Sequence, residues 1–314
     1  MVRRNPATAE GPHRPSQPSH TGPRLGLVCL SAGPQVRYRT VTRTRYLALA
    51  PSQRRRTLHE LYSENIRRLY GALEFCSAQD IHLYRVTSDL FPMDFALSER
   101  VLDELAPQLS GFARRAQALD VRVVAHPDQF VVLNSLSRRV SRQSAAIFTR
   151  HARVFDRLGL PRSPWAALIL HGGKSGRAEA MLAAIAALPE AARSRLVLEN
   201  DESAYGASEI LAICRAAGVP MVFDAHHHLV QAGLRDYTDP SYAEFVAAAR
   251  ETWPRPEWQI VHLSNGATGV RDPRHSDYIR RVPPAYQDVP WIEVEARGKE
   301  LAIARLRRVW PAAR

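Results

Sequence analysis

Short apolar runs punctuate the chain, and a longer stretch with helical spacing follows each of them. The runs occupy residues 25–30, 81–86, 121–125, 167–170, 196–198, 221–223, 260–263 and 291–294. Near-continuous apolar runs of this length suit parallel strands covered on both faces. Between them, Leu58, Leu61, Tyr62, Leu69, Leu73 and Cys76 share one helical face, and Val101, Leu102, Leu105, Leu109 and Phe112 share another. Eight strand-helix units of this kind predict a (β/α)₈ TIM barrel. The predicted barrel domain spans residues 24–314. Residues 1–23, rich in Pro, Ser, Thr, Gly and Arg, read as a disordered tail. An open doubly wound sheet is the competing architecture. No GxGxxG follows the first run, so no nucleotide cofactor is implied.

Charge narrows the partner. The chain carries 43 basic and 31 acidic side chains, a formal charge of +12, which points to a polyanion. Lys174 and Lys299 are its only lysines. Arginine suits bidentate phosphate contacts, although genome composition also explains an Arg-for-Lys bias. The basic loop 31–50, with Arg37, Arg39, Arg43 and Arg45, follows the first strand. It reads either as a solvated loop or as a lip for a nucleic-acid strand. The cysteines, Cys29, Cys76 and Cys214, are three and far apart, so they read as free thiols rather than a disulfide framework. No run has the length of a membrane span, and the N-terminus lacks the apolar core of a signal peptide. A cytoplasmic protein, nucleoid-associated when on DNA, is therefore expected. Protein partners stay open on the sequence alone.

In such a barrel the active site lies at the C-terminal ends of the strands. The third run is followed by His126, the fourth by His171, the fifth by Glu199, the sixth by Asp224 and the eighth by Glu295, and the seventh contains His262. His226, His227 and His228 come just after the sixth, and His275 lies in the loop after the seventh. A lone histidine or carboxylate at a strand end is an ordinary structural residue. Packed together without cations, these groups would suffer desolvation and mutual repulsion. Bound metal resolves both problems, since imidazole and carboxylate are its ligands. No thiolate is available for a closed structural zinc site. Mixed His and carboxylate donors favour Mn²⁺, Zn²⁺ or Fe²⁺ in open catalytic coordination, and donors in this number suit two or three ions. Such clusters serve phosphodiester hydrolysis.

These segments also carry a resemblance. From about residue 24 to 308 the chain resembles the ultraviolet damage endonuclease family. The stretches are Arg24-Leu25-Gly26, Tyr84-Arg85-Val86-Thr87-Ser88, His126-Pro127-Asp128-Gln129-Phe130, His171-Gly172-Gly173-Lys174, Leu198-Glu199-Asn200-Asp201, Phe223-Asp224-Ala225-His226-His227, Val261-His262-Leu263-Ser264, His275-Ser276-Asp277 and Glu295-Ala296-Arg297-Gly298-Lys299-Glu300. The resemblance implies a barrel related to endonuclease IV that holds a cluster of divalent ions, typically manganese. It implies DNA excision repair by a nick immediately 5′ to a photoproduct or other distorting lesion in double-stranded DNA, leaving a 3′ hydroxyl. It further implies His126, His171, Glu199, Asp224, His227, His262, His275 and Glu295 as metal ligands. Glu199, Asp224, His262 and Glu295 would be the catalytic centre. His227 is chosen over His226 and His228 by the resemblance alone. Gln129 and Phe130 would probe the distorted bases, as an aromatic wedge fills a gap left by unstacking. Phe130 also reads as an ordinary core residue. Lys174, after two glycines at a strand end, reads as a phosphate contact or a solvated lysine.

Some positions depart from the family pattern. Ile260 stands where the family has a lysine that can be carboxylated to ligate metal. Phe91-Pro92-Met93-Asp94-Phe95 lacks the family histidine after the second strand; Asp94 is a candidate substitute. Leu27 replaces a first-strand aromatic, and Ser31 a nearby amide. Two further functions stay open on residues alone. One is a sugar isomerase or epimerase on the same metal-binding barrel. The other is a damage-binding paralogue with weak cleavage.

Overall fold

The computed structural model describes residues 22–93, 96–127 and 130–313. Among these residues, eight parallel strands close in chain order into a barrel. They are β1 (Arg24–Val28), β2 (Leu83–Val86), β3 (Arg122–Ala125), β4 (Leu168–His171), β5 (Leu196–Glu199), β6 (Met221–Asp224), β7 (Ile260–Leu263) and β8 (Trp291–Val294). β8 pairs with β1 and closes the ring, with Gly26 level with Glu293. The predicted TIM barrel is the observed fold. Of the predicted tail, residues 1–21 lie outside the described residues.

Side chains alternate along a strand, so in a closed barrel every second residue points to the axis. Leu83, Val124, Ile169, Val197, Val222, Ile260 and Trp291 form one such buried cluster. Two residues further along the same strands stand Arg85, His126, His171, Glu199, Asp224, His262 and Glu293. The polar site is therefore a layer stacked directly on an apolar one, and the apolar layer excludes water from beneath it. At the opposite end Arg122 closes the barrel. Its guanidinium lies 4.5 Å from the Trp165 ring and donates to the carbonyls of Trp165, Trp258 and Pro164. Gly26 is required by this packing, because a Cβ there would lie 2.9 Å from Leu83.

Outward-facing strand residues such as Leu27, Tyr84, Leu170, Leu198 and Phe223 pack under the surrounding helices. The longest helix, Pro51–Ala78, lays Leu58, Leu61, Tyr62, Ile66, Leu69, Leu73 and Cys76 on the barrel. Each fully buried leucine of that face contributes about 1.5–3 kcal/mol by leaving water.

The departures from the sequence reading have local causes. β1 stops at Val28 because Cys29 turns left-handed, with φ 63°. The second predicted helical face is divided among Ala96–Glu104, Ala106–Leu109 and Phe112–Ala118. Pro107, which has no N–H to donate, and Gly111 sit at the breaks. β4, β5 and β6 run one residue further than predicted, because His171, Glu199 and Asp224 are themselves in the ladder. Within loop 31–50, Arg37 turns back to donate to the carbonyls of Ser31, Val36 and Ala32, while Arg39 and Arg45 are exposed. All three cysteines are free. No helix among the described residues is long and apolar enough to cross a membrane.

Candidate metal centre

The inward layer brings the predicted strand-end residues together. His171 and Glu199 are partners in the β4–β5 ladder, and Asp224 and His262 are partners in the β6–β7 ladder. Glu199 sits at the middle. His126 Nε2 lies 3.1 Å from one of its oxygens and His262 Nδ1 lies 2.8 Å from the other. His227 Nδ1 lies 3.4 Å from that second oxygen. Glu295 approaches from β8, 3.5 Å from His262 Nδ1, and accepts from Arg85. His275 Nδ1 lies 3.6 Å from Glu295.

Among the described residues, three overlapping donor groups have ligand atoms mutually within 4.8 Å. They are His126, His171 and Glu199; Glu199, Asp224 and His227; and Asp224, His262 and Glu295. Glu199 belongs to two groups and Asp224 to two. These buried clusters could each bind a metal ion. His275 is in none of them.

Asp224 shows how the local sequence builds the site. It ends β6 and also caps the helix Ala225–Ala232, accepting from His227 N at 2.7 Å. That leaves its second oxygen, Oδ2, buried with no hydrogen-bond partner among the described residues. The Asn200 amide pairs with the backbone N–H and C=O of Asp224 at 2.9 Å each, which locks β5 to β6 at this level. His171 Nδ1 is likewise buried with no hydrogen-bond partner among the described residues.

Successive residues on a helix point in different directions, which separates the three histidines after β6. His226 is occupied on both sides, by the Tyr237 hydroxyl at 2.9 Å and the Asp272 carbonyl at 2.8 Å. His228 packs on Phe245 and meets Ser241 Oγ at 2.9 Å. His227 is the one that faces Glu199 and Asp224.

The electrostatics are those of a crowded, buried cluster. Burial lowers the pKa of His171. Burial also opposes charge on His262, but Glu199, Glu293 and Glu295 outweigh it and hold His262 well above the ordinary imidazole range. His227 is raised likewise, against burial, by Asp224 and Glu199. Glu199 is held well below the carboxylate range despite burial, by His262, His171 and the imidazoles of His126 and His227.

Beside the cluster is a cleft of about 200 Å³ lined by His126, His171, Gly173, Lys174, Asp201 and Glu202. Lys174 is exposed at its rim, and its backbone N–H donates to the buried Asn134 side chain at 2.9 Å. Phe130 is 76% exposed, so the core-packing reading of it is corrected: the loop presents the ring to solvent. Gln129 and Asp94 lie outside the described residues. Ile260 is fully buried in the inner apolar cluster and offers no ligand.

Sequence reasoning missed Arg85, Glu202 and Glu293. Glu202 Oε2 lies 3.6 Å from His227 Nε2. Glu293 is fully buried, 2.7 Å from His262 Nε2 and 3.2 Å from Arg85 Nε. The signal was present in the stretch Trp291-Ile292-Glu293-Val294-Glu295, whose alternation puts both carboxylates on the inner face.

Comparison with known proteins places this site in context. A family profile described as "UV-endonuclease UvdE" matches residues 23–312. A UV DNA damage endonuclease of Deinococcus radiodurans is 54% identical over 293 residues, covering 92% of this chain and 96% of the relative. One from a Nostoc species is 50% identical over 291 residues, covering 92% and 90%. The crystal structure of SacUVDE superposes with a TM-score of 0.75 at 22% identity, over 91% of this chain and 99% of that one, a likeness in fold.

Proposed function

Since the chain belongs to the UV-endonuclease UvdE family, we propose that it is a metal-dependent repair endonuclease that nicks double-stranded DNA 5′ to ultraviolet photoproducts or other distorting lesions. The observation that carries the metal dependence is the overlap of three donor groups on Glu199 and Asp224. Carboxylates shared in this way suit two or three ions held side by side. The partnerless Asp224 Oδ2, on a residue of a nitrogen and oxygen donor set without thiolate, fits a divalent cation such as Mn²⁺ or Zn²⁺. The proposed ligands are His126, His171, Glu199, Asp224, His227, His262, His275 and Glu295, with His275 assigned to the ion beside Glu295.

Divalent ions there supply Lewis acidity toward a phosphodiester and bring the pKa of coordinated water toward neutrality. The chain's own residues do the rest. The imidazoles and carboxylates fix the centre on rigid strand ends. Lys174, exposed at the cleft rim, holds a phosphate oxygen. Phe130, projecting into solvent, stacks in the gap beside a distorted base, with Gln129 next to it reading the base edge. Arg39 and Arg45 extend the positive surface after β1. Hydrolysis breaks the P–O3′ bond, so the products are a 3′ hydroxyl and a 5′ phosphate. The substrate places the protein on DNA in the cytoplasm.

Chelation followed by add-back tests this reading. Protein stripped with EDTA should not incise irradiated duplex DNA, and Mn²⁺ should restore incision. Glu199→Gln should remain folded yet fail to incise with Mn²⁺ present. Incision undiminished by chelation would refute metal dependence. A stable, ion-loaded wild-type protein that binds lesions without cutting them would favour the weakly active paralogue.

A further inference from the structure

Arg85 Nε, Glu293 Oε2 and His262 Nε2 are buried atoms in succession, 3.2 Å and 2.7 Å apart. None of the three atoms makes a hydrogen bond of good geometry among the described residues, and neither does Glu293 Oε1. Each atom's nearest opportunity is therefore the next one in the succession. His262 and Glu293 are also register partners across β7 and β8, so the backbone ladder itself fixes their separation. The other ring nitrogen, His262 Nδ1, faces Glu199 at 2.8 Å and Glu295 at 3.5 Å, on the side of the donor groups.

We propose that Glu293 is the positioning residue for His262. Its carboxylate takes the Nε2–H, which fixes the tautomer whose Nδ1 lone pair is presented to the cation. This rests on the ion-binding reading of the centre. Metal-ligating histidines generally donate their other N–H to a carboxylate or carbonyl, and that partner sets both the ring's orientation and its basicity. Arg85 completes the arrangement. It pairs with Glu293 through Nε and donates to Glu295 through Nη2, so one guanidinium steadies a proposed ligand and the residue that orients another.

The direct test is nitrogen NMR of the Zn²⁺-loaded full chain, with the His262 signals assigned by their absence in His262→Gln. The expected spectrum shows His262 protonated at Nε2 and coordinated through Nδ1. Protonation at Nδ1, with Nε2 coordinated, would overturn the proposal. The second arm is calorimetric titration of Glu293→Gln with Mn²⁺. An affinity loss of about 10–100-fold with an unchanged circular dichroism spectrum is expected, as is typical for removal of such a partner. Glu293→Asp should recover part of it. Wild-type affinity in a folded Glu293→Gln protein would also overturn the proposal. If that variant does not fold, the wild-type spectrum decides alone. A wild-type chain that binds neither Zn²⁺ nor Mn²⁺ would instead refute the ion-binding reading beneath it.

Discussion

Asp224 carries two separable duties, and two substitutions should divide them. One oxygen caps the helix Ala225–Ala232 through His227 N at 2.7 Å; the other, Oδ2, is buried without a hydrogen-bond partner among the described residues, and the residue belongs to two of the donor groups. Asp224→Asn keeps an acceptor for the cap and removes the charge. Asp224→Ala removes both. Unit charges about 4 Å apart at an effective dielectric near 20 interact by about 4 kcal/mol, so loss of the carboxylate should weaken ion binding by roughly a thousandfold in either variant. Loss of the cap costs about 1 kcal/mol, which lowers Tm by about 2–4 °C in a domain of this size. In EDTA, Asp224→Asn should melt somewhat below the wild type, because the His227 imidazolium loses a carboxylate neighbour. Asp224→Ala should melt a few degrees below Asp224→Asn. Scanning calorimetry in EDTA and titration calorimetry with Mn²⁺ separate the two effects. Wild-type Mn²⁺ affinity in Asp224→Asn would refute its place in the donor set, and equal melting of the two variants would refute the capping argument.

Ion loading should release protons. His227 and His262 are held above the ordinary imidazole value of 6.5, so both carry protons near neutrality in the ion-free chain and must give them up to coordinate. Mn²⁺ titrations in buffers of differing ionisation enthalpy should report roughly two protons released per centre, and buffer-independent heats would contradict this. The same raised values stabilise the ion-free fold. That contribution is complete below 6.5 and is lost as pH climbs through the raised values, so the chelated protein should become less stable above neutrality. Phe130→Ala should leave Tm unchanged, since the ring is exposed, while reducing preference for damaged over undamaged duplex by about 5–150-fold, equivalent to 1–3 kcal/mol of stacking. Unchanged discrimination in a binding competition would remove Phe130 from the lesion contact. Arg122→Met strips the donors from three carbonyls at the closed end of the barrel, at about 1–3 kcal/mol for each buried acceptor left alone, without altering Mn²⁺ affinity. Denaturant unfolding checks the first part and calorimetry the second.

The barrel was legible because strands buried on both faces cannot alternate apolar with polar residues, and the eight runs stand out for that reason. Their limits were less legible. A left-handed Cys29 is no property of a cysteine, and nothing in the run through Leu30 announces it. His171, Glu199 and Asp224 read as the residues after their strands because polar side chains look like strand ends, yet here they complete the ladders. His126, His171, Glu199, Asp224 and Glu295 were found by that same habit of reading run ends, and the habit hid Glu293. It stands two positions before Glu295, inside a run, where only the two-residue alternation exposes it. Arg85 was hidden for the same reason, as a charge between Tyr84 and Val86 that reads as a solvent face rather than the axis of a closed barrel. The separation of His227 from His226 and His228 required the helix after Asp224 to be placed, since three adjacent identical residues differ only in direction.

The most direct measurement is incision of an end-labelled duplex carrying a single thymine photodimer, by the Mn²⁺-loaded chain, beside the same duplex undamaged. A single nick immediately 5′ to the dimer, absent from the undamaged strand, is the expected result. No incision by the ion-loaded protein, or equal incision of both duplexes, would contradict a lesion-directed endonuclease.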